Sequence, residues 1–315
     1  MVWCHTGVGW EDEVTRAGWE FLRPHLAAAE AYVFSRRDYV PSWISADKVW
    51  IIPPSIDPFS PKNQPLAADT VRAILVKLGV LDGAAPMAPA TFVRRDGGAG
   101  TVTRPAAVIG EGRPGPGDPV LVQVSRWDRL KDPLGVLGGF AHTGGIDDAH
   151  LLLAGPTPAA VADDPEAEQV LTEVRDAWDG LGRGIRERVH LASLPAEDVE
   201  ENAVIVNALQ RRADIVVQKS LAEGFGLTVT EAMWKARPVV AGRVGGIRDQ
   251  IDDGANGLLV DPRDTAAFEV AVGSLLRDPE RARGLAIAAR ERVRERYLPP
   301  QYLGGYLELI ERLLP

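Results

Sequence analysis

Glu223-Gly-Phe-Gly-Leu-Thr-Val-Thr-Glu231 follows the apolar run Ala213-Asp-Ile-Val-Val-Gln218 and opens a short helical pattern that stops before Pro238. Strand, glycine loop and helix N-terminus are expected in succession. In an open α/β sheet that junction lies at the carboxyl edge of the strands, where free backbone N–H groups and the positive end of a helix dipole favour an anion. Gly224 and Gly226 carry no Cβ and let the backbone approach a ligand closely. Thr228 or Thr230 is the expected helix cap, with Glu231 in the first turn and Glu223 on the other side of the loop. Two carboxylates flanking one anion site suit a sugar nucleotide, whose hydroxyls want acceptors and whose phosphates want N–H donors and cations. The competing reading is chance: the chain has 44 acidic residues, and a Glu at a helix start ordinarily does no more than offset the dipole.

Composition bounds the function classes. With 315 residues, 45% hydrophobic and 25% charged, the chain has room for two globular domains with real cores. A net charge of −9 argues against non-specific nucleic-acid binding, which needs a basic face. An anionic substrate must then be met by a few placed cations. Cys4 is the only cysteine, so no intrachain disulfide can form; no basic region followed by an apolar segment opens the chain, and a cytoplasmic location is expected. Apolar runs such as Leu151-Leu-Leu-Ala154 fall far below the ~20 residues that span a bilayer, so no membrane helix is expected.

In chain order, Val2 to His5 reads as a strand end and Gly9 to Ala29 as a helix, followed by strands at Ala31 to Phe34 and Lys48 to Ile52. Pro53-Pro-Ser-Ile-Asp-Pro58 forms a rigid turn, and Ala67 to Leu78 a helix. Gly and Pro crowd residues 83 to 118, which read as a linker. Beyond it, six strands (Val120 to Val124, His150 to Ala154, Arg188 to Ala192, Ile215 to Gln218, Val239 to Ala241, Gly257 to Val260) alternate with helical stretches. Such alternation implies a parallel sheet with helices on both faces. Helices at Glu280 to Tyr297 and Gln301 to Leu314 end the chain. The domain reading is therefore 1–82 as a partial first domain, 83–118 as linker, 119–296 as the ligand-binding domain and 297–315 as a helix returning to the first.

Ser125-Arg-Trp-Asp-Arg-Leu-Lys-Asp-Pro133 follows the first strand of the second domain. Arg126 and Lys131 stand five apart across a tight turn, so both can reach a diphosphate at the same carboxyl edge as the 223–231 loop. The alternative is a solvated turn of mutually paired charges.

Gln123 to Pro133, Gln218 to Lys235 and Val244-Gly-Gly-Ile-Arg-Asp-Gln250 together resemble the retaining glycosyltransferases of family four. Within that family they resemble the trehalose synthases, which transfer glucose from a nucleotide sugar to glucose. Trp3-Cys-His5, Phe21-Leu-Arg-Pro24 and Ile51 to Pro58 are similar to the same subgroup. The resemblance implies an α/β chain of GT-B fold, two Rossmann-like domains facing a cleft, the first of them incomplete here.

The resemblance also implies residue roles. Arg126 and Lys131 hold the diphosphate, Glu223 the donor sugar hydroxyls and Glu231 the ribose; Ser125, Leu227, Thr228 and the amides of Gly224, Phe225 and Gly226 line the sugar and phosphate. His5 points across the cleft at the transferred sugar. Arg126, Lys131, Glu223 and His5 are thus the implied catalytic set. Displacement with retention is implied, in which the leaving phosphate takes the acceptor's proton. No metal or other cofactor is expected, since no two aspartates stand two residues apart and cations can take the metal's place. Three readings stay open: a trehalose-forming transferase, a trehalose phosphorylase of the same fold, and a nucleotide-sugar-binding remnant. With the first domain incomplete, the chain is expected to bind a nucleoside diphosphate and transfer poorly, and its strand edges allow a homodimer.

Overall fold

The computed structural model describes residues 1–4, 13–84, 86–142, 148–158 and 166–314. Their larger sheet is built from β6 (Ala107–Ile109), β7 (Val120–Val124), β8 (His150–Pro156), β9 (Val189–Leu194), β10 (Ile215–Gln218), β11 (Val239–Gly242) and β12 (Leu258–Val260). The spatial order is β12-β11-β10-β7-β8-β9-β6, parallel throughout except for β6, which runs antiparallel to β9. The apolar runs are continuous because both faces are covered, as parallel sheets require. Along β7, Val120, Val122 and Val124 join one core and Leu121 the other, the period of two expected of a strand.

The Leu121 face packs against α3 (Pro133–His142), α4 (Ala167–Asp179) and α9 (Thr265–Arg277). A four-residue helix, α5 (Arg183–Arg186), leads into β9. On the Val122 face lie α2 (Ala68–Leu78), α6 (Val199–Arg212), α7 (Leu227–Trp234), α8 (Ile247–Gln250) and the end of α10 (Pro279–Arg296). Because β8 and β9 extend from one side of β7 and β10 to β12 from the other, the chain switches direction at the β7/β10 pair. Crevices at such points are where open α/β sheets bind ligands.

The smaller sheet joins β1 (Val2–Cys4), β2 (Tyr32–Phe34) and β3 (Val49–Ile51) in parallel. Ala31, Val33 and Ile52 pack on Leu309 of α11 (Pro299–Leu313), while Tyr32 and Phe34 meet Tyr39 and Ile44 on the other face. α1 (Glu13–Leu26) lies on that second face, Trp19 against Phe34 and Trp43.

The structure departs from the sequence reading in three places. Residues 83–118 are not featureless: they carry β4 (Thr91–Val93) and β5 (Ala99–Thr101), a hairpin, and then β6, which makes the large sheet seven-stranded and mixed. Three-residue strands among glycines leave no period to read. Gly100 is there because a Cβ would sit 2.4 Å from the Phe92 ring that crosses it. Second, α2 falls inside the span read as the first domain, yet Val71, Ile74, Leu75 and Leu78 share a core with Val204 and Leu209 of α6. Third, Gly226 (φ 85°), not Thr228 or Thr230, is the N-cap of α7. Glu231 accordingly lies in the second turn, and Thr230 donates to Gln250 Oε1 at 2.7 Å.

Among the described residues no helix is long and apolar enough to cross a membrane.

Candidate functional site

β7 and β10 are neighbours, so the turns that leave their carboxyl ends are forced side by side. The turn after β7 is anchored by Trp127, which is buried and donates to Pro156 O at 3.0 Å. Gln123, buried at the end of β7, donates to Lys131 O at 2.8 Å. Three further links stitch the two turns together, and a fourth contact fixes the start of α3. Leu221 N donates to Leu130 O at 2.8 Å; Lys219, buried at the end of β10, is ion-paired with Asp132; Asp132 accepts from Gly135 N at 3.1 Å and so caps α3; and Lys131 Nζ lies 2.6 Å from Glu223 Oε2. Both groups of the last pair are mostly shielded, with side chains 17% and 14% exposed, so the attraction is less screened than at the surface.

The glycine loop is held from behind through its carbonyls. Tyr39, reaching from the smaller sheet, donates to Gly224 O and lies 3.2 Å from Glu223 O. Gln250 Nε2 donates to Phe225 O, and Gly246 N to Gly224 O at 2.9 Å. Phe225 turns its ring into the core against Tyr297. Gly245 (φ 46°) completes the backing, since a Cβ there would lie 1.6 Å from Glu223 O. With the carbonyls tied back, the amides of Gly224, Phe225, Gly226, Leu227 and Thr228 find no acceptor among the described residues. A row of unpaired N–H groups at a helix N-terminus is built for an anion.

Glu231 is buried with Oε1 3.1 Å from Lys62 Nζ and Oε2 without a partner among the described residues. It lines a cleft of about 540 Å³ with Lys62, Asn63, Arg95, Asn202 and Leu227. Beneath it Lys235 is fully enclosed, donating to Asn63 Oδ1 at 2.9 Å and Gln210 Oε1 at 2.8 Å, and burial lowers its pKa to about 7.

Of the residues singled out by sequence, Lys131, Glu223, the 224–228 loop and Glu231 converge on this carboxyl edge. Ser125 sits at the start of the β7 turn, its hydroxyl 3.3 Å from Gln123 Nε2. Arg126 stands on the rim, half-exposed and paired with Asp128 at 2.9 Å. His5 lies outside the described residues. Sequence reasoning missed Lys62, Tyr39 and the Lys219–Asp132 pair; no local pattern marks them, because each meets its partner only through the fold.

Residues 198–292 match the family model described as glycosyl transferases group 1. The chain is 36% identical over 301 residues to a trehalose synthase of Rubrobacter xylanophilus, an alignment covering 94% of this chain and 60% of that protein. It is 32% identical over 315 residues to a trehalose synthase of Pyrococcus horikoshii, covering 98% and 63%. The chain thus spans about 60% of the length of these curated relatives. Among solved structures, sucrose-phosphate synthase from Thermosynechococcus elongatus superposes with a TM-score of 0.65 at 24% identity, over 96% of this chain and 62% of the other. Anabaena HepE in complex with UDP and glucose superposes with a TM-score of 0.67 at 16% identity, over 96% and 67%. The chain therefore has the GT-B fold, and its residues 198–292, which include the loop after β10, are similar to the group 1 glycosyl transferases.

Proposed function

We propose that this chain binds a nucleoside diphosphate glucose and serves a retaining transfer of glucose to a sugar acceptor, with glucose as the acceptor and trehalose as the product. The observation that carries the reading is the meeting of Lys131 with Glu223 at the mouth of a loop whose amides are unpaired. A diphosphate there takes Lys131, the loop amides and, from the rim, Arg126. Glu223 is then free to accept from the sugar hydroxyls. The unpartnered Oε2 of Glu231 suits a ribose hydroxyl, and the adjoining cleft has room for a base. Relatives named trehalose synthase and the HepE complex with UDP and glucose support the same assignment.

In the proposed reaction, positive charge grows on the sugar and negative charge on the leaving diphosphate as the bond between them breaks. Lys131, Arg126 and the α7 N-terminus face the growing negative charge, which lowers the barrier because they bind the transition state more strongly than the donor. The departing phosphate oxygen takes the acceptor's proton, so neither a side-chain base nor a metal is required. His5 is assigned to the sugar by resemblance. A cytoplasmic location accords with this reading.

The test is incubation of the purified chain with UDP-, ADP- and GDP-glucose, with and without glucose, followed by separation of the products. The expected outcome is binding of at least one nucleoside diphosphate, with glucose transfer to give trehalose poor and lost in Glu223→Gln. Phosphate-dependent breakdown of trehalose would instead make it a phosphorylase, and failure of every nucleoside diphosphate to bind would remove the donor assignment.

A further inference from the structure

The opposite edge of the large sheet, where β10 and β11 begin, holds two adjoining cavities. One, of about 400 Å³, is lined by Arg72, Arg211, Arg212 and Arg237 with Asp214. The second, of about 430 Å³, shares Asp214 and Arg237 and adds Arg283. Five arginines and one aspartate thus line the two cavities, in a chain whose net charge is −9.

That carboxylate is already committed. Asp214 Oδ2 accepts from Arg212 at 2.9 Å and from Val120 N at 2.8 Å. Arg237 donates to Ala213 O at 3.2 Å, and Arg72 to Ala84 O at 3.5 Å, the limit of a hydrogen bond. The Nε atoms of Arg72, Arg212 and Arg237 are buried without a partner among the described residues. Arg211 is tied to Asn207 Oδ1 and Gln64 O, both at 2.9 Å. Burial, with Arg237 and Arg290 nearby, pushes the Arg211 pKa down, and burial pushes that of Arg237 down as well. Beyond the Arg212–Asp214 pair, Arg72, Arg211, Arg237 and Arg283 have no carboxylate ion-pair partner among the described residues. Guanidinium forks match the oxygens of phosphate groups bidentately, and several arginines together suit the higher charge of a phosphate.

We infer that these cavities form a second anion site, for a phosphate group carried by a small molecule, on the sheet edge remote from the Lys131–Glu223 loop. Nothing in the donor-site reading requires it, and it stands if that reading falls.

Calorimetric titration tests the site with three probes: inorganic phosphate, a hexose 6-phosphate and a nucleoside triphosphate. Each is titrated into the wild-type chain and into Arg72→Ala, Arg237→Gln and Lys131→Ala. The probe that binds most tightly tells whether the phosphate arrives free, on a sugar or on a nucleotide. The expected result is that at least one probe binds, that Arg72→Ala weakens it about tenfold or more, and that Lys131→Ala leaves this binding in place. Arg237 precedes β11 and its replacement can harm folding; Arg72, with its single long bond, keeps the test valid if Arg237→Gln does not fold. No binding by any probe, unchanged affinity in Arg72→Ala, or loss of all phosphate binding in Lys131→Ala would each overturn the inference.

Discussion

Every residue of β7 and β10 in the large sheet is buried, whereas in the small sheet only β2 is, and β1 and β3 remain part-exposed. The helices differ in the same way. α3 buries Val136, Leu137 and Phe140, while α1 buries none of its residues and leaves Val14, Phe21 and Leu22 exposed. The large sheet therefore carries its own stability, since burial of apolar surface is the main favourable term. The small sheet leans on its neighbours: on α11 behind it, on the Arg36–Asp249 pair (Nε to Oδ2, 2.8 Å) and on Tyr39 at the glycine loop. What it returns is position. Its Tyr39 holds the carbonyls of the loop whose amides find no acceptor among the described residues.

The sharpest test of this contrast is a pair of truncations. Phe140→Ala should lower the stability of the large unit by about 3–5 kcal/mol, and Phe21→Ala should change stability by less than about 0.5 kcal/mol. Denaturant titration reads both; equal losses would break the contrast.

Next in size is the proposed donor site, whose Lys131 and Glu223 follow strands of the large sheet. Lys131→Ala should weaken a nucleoside diphosphate by about 1.5–3 kcal/mol, the value of a charge-assisted contact, without a comparable change in melting temperature. Glu223→Gln should leave the free diphosphate nearly unchanged and lose the glucose-bearing donor, whereas Glu231→Gln should weaken both. Calorimetry with paired ligands separates them.

A smaller effect is expected at the seam. Tyr39→Phe leaves loop carbonyls short of a donor and should cost about 1–2 kcal/mol. Hydrogen exchange should report faster opening in β2 and the glycine loop with β8 unchanged; equal acceleration in all three would make the two units one cooperative body.

The smallest concerns pH. His190 is buried in β9 beside His150, and burial lowers its pKa to about 3. The folded chain keeps it neutral while the unfolded chain protonates it below its ordinary value near 6.5. Its contribution is complete above that value and is lost progressively as pH falls toward 3. At pH 6 the loss is below about 1 kcal/mol. Melting temperatures between pH 7.5 and 6 should fall, and less steeply in His190→Gln.

What the sequence alone determined follows from periodicity and local spacing. β7 to β12 were legible because strands covered on both faces are apolar throughout, and the glycine loop was legible because strand, glycines and helix start lie within nineteen consecutive residues, 213 to 231. Lys131 and Glu223 could each be picked from such local patterns. That they touch could not, because the contact is made by the pairing of β7 with β10 across 92 residues of chain. The same holds for Tyr39 against Gly224, Lys62 against Glu231, and the arginines at positions 72, 211, 212, 237 and 283. β4 to β6 escaped for a different reason: they are short, lie among glycines and prolines, and β4 and β5 are not apolar throughout. Local order is written in neighbouring residues, whereas a site's charges are assembled only when the sheet brings distant strand ends together.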